Sequence, residues 1–357
     1  MLPDTPAPLV DVERMDANLR RAAEYCRRHG LAWRPHAKTH KSPALAARQV
    51  AAGAVGVTVA TVREAEVMAR EVDDLLLAYP PLGDAKLKRL MALPERVRLT
   101  VGLDSREALE GLAAAARAAG RTVGVLVVVD AGMGRVGVQS PEDAVALART
   151  AAEAGGVEYR GIMFYPGHVR EEVAGQGEGV RGVSERVGEV VAALTAAGLA
   201  PGVVSGGSTP TFWRSHDFAG VTEVRPGTSI FNDRTTAGIG ACGWEECAYS
   251  VLATVISTAV PGQAVVDAGA KALAKEEIRA DAGGYGALLD RPEVVVKSVS
   301  EEHGLLDLSA TSWRPRIGER VRIVPNHVCV SVNLHERLYG VRDDEVVEVW
   351  EVEARGR

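Results

Sequence analysis

Residues 123–164 read VGVLVVVDAGMGRVGVQSPEDAVALARTAAEAGGVEYRGIMF. An unbroken apolar run, Val123 to Val129, passes through a glycine-rich turn into a helical stretch from Ser140 to Ala154, with serine at its N-cap. A second apolar run, Tyr159 to Phe164, follows. That is one βα unit returning to a parallel strand. The alternation extends both ways, from about residue 12 to 235. Before it come a first helix through Met15 to Arg28 and candidate strands at Leu31 to Pro35, Val55 to Val59, Asp74 to Ala78 and Arg96 to Val101. After it come Gly202 to Ser205 and Thr222 to Arg225. Helical stretches at Ser42 to Ala52, Arg63 to Glu71, Ser105 to Ala119 and Val180 to Ala197 fill gaps between strands. The expectation is an α/β protein with a (β/α)8 TIM-type barrel, whose usual size of about 250 residues matches this span. From about Ala241 the pattern changes to β-branched runs: Val251 to Ser257, Gln263 to Asp267, Glu293 to Ser300, Arg320 to Val324 and Val346 to Val352. These read as an antiparallel β domain. The expected division is therefore a barrel over 12–240 and a β domain over 241–357, with 1–11 available to join the second.

Composition narrows the class of partner. The chain has 357 residues, 41 Lys+Arg against 47 Asp+Glu for a formal charge of −6, and 46% hydrophobic residues. This is an ordinary globular balance, unlike a disordered, collagenous or coiled-coil chain. A mildly acidic chain with no Lys/Arg-rich run does not suit nucleic acid or an anionic membrane surface, so a small-molecule partner is expected. No apolar run approaches the roughly 18 residues of a membrane span. The opening Met1-Leu2-Pro3-Asp4 lacks a basic region followed by an apolar stretch, so a cytoplasmic protein is expected. Four cysteines, Cys26, Cys242, Cys247 and Cys329, are too few for a disulfide scaffold. Cys242 and Cys247 have no histidine near them and read as structural.

In a barrel the chemistry belongs at the C-terminal ends of the strands, with phosphate commonly held after the seventh and eighth. Here the first strand ends in Arg34-Pro35-His36-Ala37-Lys38-Thr39-His40-Lys41. This sets a lysine at the barrel mouth among other cations, where positive neighbours and burial make an amine nucleophilic. The same loop also reads as a solvated basic face. The seventh strand runs into Ser205-Gly206-Gly207-Ser208-Thr209-Pro210 and the eighth into Arg225-Pro226-Gly227-Thr228-Ser229. Gly206, Gly207 and Gly227 let backbone N–H groups approach an anion, and the hydroxyls of Ser208, Thr209 and Thr228 add donors. A lysine on the first strand with phosphate loops on the last two points to pyridoxal 5'-phosphate bound through that lysine.

The Arg34 to Lys41 segment resembles the cofactor-lysine segment of the D-threonine aldolase and D-serine dehydratase family, relatives of alanine racemase with a barrel-plus-β plan. The resemblance continues in Asp130-Ala131-Gly132-Met133-Gly134-Arg135-Val136-Gly137-Val138, in Ser205 to Pro210, in Glu223 to Asp233 and in Val266-Asp267-Ala268-Gly269-Ala270-Lys271-Ala272-Leu273. It ends with Pro325-Asn326-His327-Val328-Cys329-Val330-Ser331-Val332-Asn333-Leu334. It spans nearly the whole chain. It implies that Lys38 carries the cofactor and removes the substrate α-proton, and that Arg135 faces the pyridine nitrogen, where an always-charged guanidinium leaves that nitrogen unprotonated and weakens the ring as an electron sink. His327 and Cys329 then supply help for the β-substituent. Placed in a strand they would point to one face, and sulfur with imidazole favours zinc, with manganese or magnesium left open.

The resemblance bears on the reaction too. Dehydratase-like members carry His-x-Cys at this place and aldolases His-x-Asp, so elimination to a 2-oxo acid and ammonia is expected. Retro-aldol cleavage to glycine and an aldehyde is the alternative, supported by the aldolase-like Ser331-Val332-Asn333-Leu334-His335 and Tyr339-Gly340-Val341. A racemase or a non-catalytic cofactor-binding protein ranks below both. Tyr165 and His168, after the sixth strand, are candidates for contact with the cofactor phosphate or the substrate hydroxyl. His36 and His40 are read as ordering the lysine loop, and Asp267 and Lys271 as site support of undetermined role. The resemblance also implies a homodimer acting on a small D-amino acid.

Overall fold

The strands of the first sheet are short and almost wholly apolar, as parallel strands covered on both faces must be. The computed structural model describes residues 1–277 and 283–356. It divides into two units, one of Arg21–Gly227 with the tail from Ala354, the other of Met1–Arg20 with Thr228–Glu353. The first break from barrel to β domain thus falls at Gly227/Thr228, earlier than the 240/241 boundary read from the sequence.

After an opening strand β1 (Ala7–Asp11), which belongs to the other unit, come β2 (Ala32–Trp33), β3 (Val57–Val59), β4 (Asp74–Leu77), β5 (Arg98–Leu103), β6 (Val123–Val129), β7 (Val157–Phe164), β8 (Val203–Gly206) and β9 (Glu223–Val224). All eight pair in parallel in the order β2-β9-β8-β7-β6-β5-β4-β3. The two ends of that order meet. Val55 N–H donates to Trp33 O at 2.8 Å and Thr58 N–H to Pro35 O at 2.8 Å, and His36 bridges Thr58 in parallel register. The barrel is closed, as expected. Helices return between strands, and Thr61, Ser105 and Ser140 cap three of them by accepting from the N–H three residues on. A helix at Asp84–Met91, behind Pro80-Pro81, joins those read from the sequence. Strand alternation sorts the core: Val125 and Val127 pack with Leu109, Leu112 and Leu147 of the helices, whereas Leu126, Val128, Leu76 and Met163 fill the barrel interior.

At the N-terminal ends of the barrel strands lies a polar cavity of about 510 Å³. Arg34 bridges Asp74 and Glu223, each at 2.7 Å, in its wall, and Ser205 donates to Glu223 at 2.6 Å. Arg98 pairs with Asp74 and Arg160 donates to Thr100. These charges answer one another across the bottom of the barrel, the end that serves stability in this fold.

The second unit is a nine-stranded sheet of β1 with β10 (Tyr249–Ser257), β11 (Gln263–Val266), β12 (Gly286–Leu288), β13 (Val296–Val299), β14 (Gly304–Asp307), β15 (Arg320–Pro325), β16 (Arg337–Arg342) and β17 (Glu345–Glu351). Its pairings are antiparallel except β1 with β16. Among the described residues no helix is long and apolar enough to cross a membrane.

One expectation is corrected. The segment carrying His327 and Cys329 is not a strand: His327 is the extended N-cap of a helix, Val328–Leu334. Its valines favour strand locally, but tertiary hydrogen bonds override them. Asp233 Oδ2 accepts from Val328 N–H at 3.1 Å, and Ser331 Oγ, buried, donates to Ala272 O at 2.7 Å and meets the Tyr249 hydroxyl at 2.8 Å.

Candidate active site

The loops leaving the C-terminal ends of β2, β8 and β9 are drawn together by short-range bonds. His36 N–H donates to Pro226 O at 3.1 Å, and Gly227 N–H donates to Thr209 Oγ1 at 3.2 Å. A Cβ on Gly227 would stand 2.8 Å from Thr39 Oγ1 and 3.1 Å from His36 O, so only glycine permits this approach. Lys38 sits on the 3-10 turn Ala37–Thr39 with its side chain exposed. His36 caps that turn, its Nδ1 accepting from Lys38 N–H at 3.4 Å. Burial, then the charges of Lys38 and Arg225, hold the His36 imidazole well below its usual range and therefore neutral. His40 lies deeper: Nδ1 accepts from Ser42 N–H at 3.1 Å and Nε2 meets Gln49 Oε1 at 3.1 Å. Burial pushes its pKa down to about 4.

Gly206 and Gly207 are also required by their surroundings. A Cβ at Gly206 would enter the Phe164 ring at 2.2 Å, and Gly207 has φ +86°. The hydroxyls beside them already serve the turn: Ser208 Oγ is 3.0 Å from Thr211 Oγ1, and Thr209 Oγ1 receives Gly227 N–H. Thr228, next in the chain, points its hydroxyl at Cys329 Sγ, 3.7 Å away.

Arg135 and Tyr165 meet directly, the guanidinium carbon 4.9 Å from the phenol ring centroid. The loop bearing Arg135 is wound around Asp130, whose Oδ1 accepts from the N–H groups of Gly132, Met133 and Gly134 at 3.0, 2.9 and 3.1 Å. Tyr165 follows β7, and Gly167 keeps clear of its ring, since a Cβ there would come within 2.1 Å. His168 lies against Gly132, 3.3 Å from where a Cβ would stand. Sequence reasoning missed Arg225. It is buried, with one N–H on Phe164 O at 2.7 Å and another on Ser205 Oγ. Burial pushes its pKa down to about 10, against the opposing pull of Glu223. Its position just before the phosphate-type turn Pro226-Gly227 is the signal that could have found it.

His327 and Cys329 lie near enough to one another for the cysteine to raise the imidazole's pKa. His327 Nδ1 also meets Glu276 Oε2 at 2.8 Å. Burial pulls the imidazole down, but Cys329, Glu276 and Asp233 outweigh it and raise its pKa to about 11. The locus thus favours positive charge. Among the described residues no cluster of three metal-ligating side chains is formed, so a cation held here by the imidazole of His327 and the sulfur of Cys329 would leave other positions to water and substrate. Asp267 and Lys271 acquire plain roles. Asp267 ties Thr5 (2.5 Å) to Thr254 N–H (2.7 Å), whereas Lys271 pairs with Glu302 on the surface. Cys242 and Cys247 are buried in an apolar cluster with Val324.

The residues fit the two groups the sequence implies. An exposed amine beside a glycine cradle at the barrel mouth suits a phosphorylated aldehyde, and the imidazole–thiol pair in an electronegative locus suits a borderline-soft divalent ion.

Comparison with known proteins agrees. Residues 10–235 match the family described as "Alanine racemase, N-terminal domain", and residues 248–341 the serine dehydratase domain family. A D-threonine aldolase of Arthrobacter sp is 34% identical over 99% of this chain and 93% of its own. The D-threo-3-hydroxyaspartate dehydratase of Delftia sp. is 36% identical over 98% of this chain and 97% of its own. Its structure superposes with a TM-score of 0.88 at 33% identity, covering 98% of this chain and 97% of that one. A D-threo-3-hydroxyaspartate dehydratase has also been solved with alanine replacing a histidine and, separately, a cysteine two positions later, the latter in a metal-free form. The D-threonine aldolase of Filomicrobium marinum gives a TM-score of 0.91 at 35% identity, over 99% of this chain and 96% of that one. With family matches over residues 10–235 and 248–341 and relatives 34% and 36% identical along nearly the full length, this chain belongs to the D-threonine aldolase and D-serine dehydratase family, pyridoxal-phosphate lyases built on an alanine racemase-type barrel.

Proposed function

We propose that the protein is a pyridoxal-phosphate- and zinc-dependent lyase of D-configured 3-hydroxy amino acids that works chiefly by elimination, giving a 2-oxo acid and ammonia. The observation that carries the elimination reading is the His327-x-Cys329 pair, the same spacing at which a D-threo-3-hydroxyaspartate dehydratase has been altered.

Pyridoxal phosphate, held through Lys38, supplies an electron sink for the charge left on the substrate α-carbon. Lys38 Nζ takes the α-proton at the barrel mouth. Neutral His36, half-buried at the start of the lysine turn, fixes that turn without adding a competing proton. Gly206, Gly207, Ser208, Thr209 and Gly227, with Thr228, form the wall for the phosphate. Arg135, held over Tyr165, would face the ring nitrogen with a guanidinium that hydrogen-bonds without giving up its proton, so the sink would stay weak and the leaving group would need help elsewhere. His327 and Cys329 hold a divalent cation, zinc by the softness of sulfur, which supplies Lewis acidity toward a hydroxyl. Tyr165 and His168 line the approach of the substrate hydroxyl. The reading carries with it a homodimeric, cytoplasmic enzyme.

The aldolase reading is favoured by one further observation: relatives as similar as the dehydratase are D-threonine aldolases. Product analysis separates the two. Protein loaded with pyridoxal phosphate and Zn2+ is offered D-serine, D-threonine and D-threo-3-hydroxyaspartate, and ammonia, 2-oxo acid, glycine and aldehyde are measured. Ammonia with a matching 2-oxo acid, abolished by a chelator, is expected; glycine with aldehyde would replace elimination by aldol cleavage.

A further inference from the structure

We infer that Glu276 is a positioning residue for the metal site: its carboxylate holds the imidazole of His327 in the tautomer and orientation that present the other ring nitrogen to the cation. The inference rests on the reading of His327 and Cys329 as metal ligands. A ligating imidazole needs its remote N–H anchored, and a carboxylate in that place both fixes the ring and makes it a stronger donor.

The geometry is that of such an anchor. Glu276 Oε2 lies 2.8 Å from His327 Nδ1, which leaves Nε2 for the cation. The two residues are 51 positions apart in the chain, so the contact is not a by-product of local sequence. It is made twice over. Asn326, the residue just before His327, donates from Nδ2 to the Glu276 main-chain carbonyl at 2.9 Å and to Gly284 O at 2.8 Å. Arg234 in turn donates to Asn326 Oδ1 at 3.1 Å and to Gly283 O at 2.6 Å. One neighbour of the metal ligand therefore fixes the backbone of Glu276, and the ligand itself meets its side chain. Glu276 does not complete a third metal donor, since no three-membered cluster forms among the described residues. Its place is behind the ligand.

The test uses the cofactor-loaded protein stripped of metal, titrated with Zn2+ against a competing chromophoric chelator and, separately, with Co2+ read through its thiolate charge-transfer and ligand-field bands. Glu276→Ala should weaken Zn2+ binding by about 10- to 100-fold. Glu276→Gln, which keeps an oxygen acceptor without the charge, should lie between that and wild type. Both variants should retain wild-type cofactor absorbance and metal-free melting, and the Co2+ charge-transfer band should persist while its ligand-field bands shift. Zn2+ binding within threefold of wild type in both variants would overturn the inference. So would weak binding in Glu276→Ala that only follows a loss of metal-free melting while Glu276→Gln stays at wild type. If wild-type protein itself takes up no metal, and His327→Ala changes nothing, the metal reading falls and Glu276 with it, an outcome distinct from both.

Discussion

A single buried histidine shows how the lysine loop constrains the whole chain. His40 is fully buried and accepts from Ser42 N–H, so it must be neutral, with a folded pKa of about 4 against 6.5 when unfolded. A depressed histidine binds its proton first in the unfolded chain. Its stabilising effect is complete above about pH 6.5 and is lost as pH falls toward 4, amounting to about 2 kcal/mol by pH 5. His36 shifts the same way and adds to the slope. Denaturant unfolding at pH 7 and pH 5 should therefore show a smaller pH penalty in His40→Gln than in wild type. Equal penalties in the two proteins would remove His40 from this account. At the same scale the sequence pointed to Lys38, His327 and Cys329 as candidates but not to the residues packed against them. Asp130 and Arg225 stand in the quoted motifs with no role legible there and Glu276 stands in none, and what each holds became visible only when the chain brought them against their partners.

At the scale of elements, one carboxylate organises two helix starts. Asp233 caps its own helix, Arg234–Gly238, by accepting from Thr236 N–H at 2.9 Å. Its second oxygen accepts from Val328 N–H, the first free donor of the helix that carries Cys329. Burial raises its pKa even so, so it sits there at a cost met by these hydrogen bonds. Asp233→Ala should lose about 2 kcal/mol of stability, counting a cap and an orphaned buried donor, and should also lower metal occupancy. Urea midpoints and metal content check both. Asp233→Asn, with one acceptor left, should fall between; an unchanged midpoint in the alanine variant would mean the caps are satisfied otherwise. This element is also where the sequence misled. A valine-rich segment after β15 reads as strand by propensity, yet Asp233, Ala272 and Tyr249 supply partners that only a helix can use at once.

At the scale of the barrel unit, closure depends on a buried charge. Arg34 lies at the seam between β2 and its neighbours, nine-tenths buried, and answers both Asp74 and Glu223. Deleting Arg34 leaves buried Glu223 with only the Ser205 hydroxyl and Asp74 with only the largely exposed Arg98, and an under-compensated buried charge costs more than the pair gains over apolar substitutes. Arg34→Met should destabilise the protein by about 3–5 kcal/mol, while Arg98→Ala, whose side chain is 64% exposed, should do little. Chemical denaturation of the cofactor-loaded protein measures both. A small effect for Arg34→Met would mean that backbone hydrogen bonds alone close the barrel.

The sequence by itself determined the alternation of strand and helix, the change to β-rich runs and which side chains are candidates for the chemistry, because hydrophobic period, glycine placement and side-chain chemistry are local properties. The tertiary structure alone decided that β1 leaves its neighbours in the chain to pair with β10 and β16, that the His327 segment is a helix, and which carboxylate stands behind which imidazole. Those outcomes depend on partners tens to hundreds of residues away, and no local pattern encodes a contact whose energy comes from the other end of the chain.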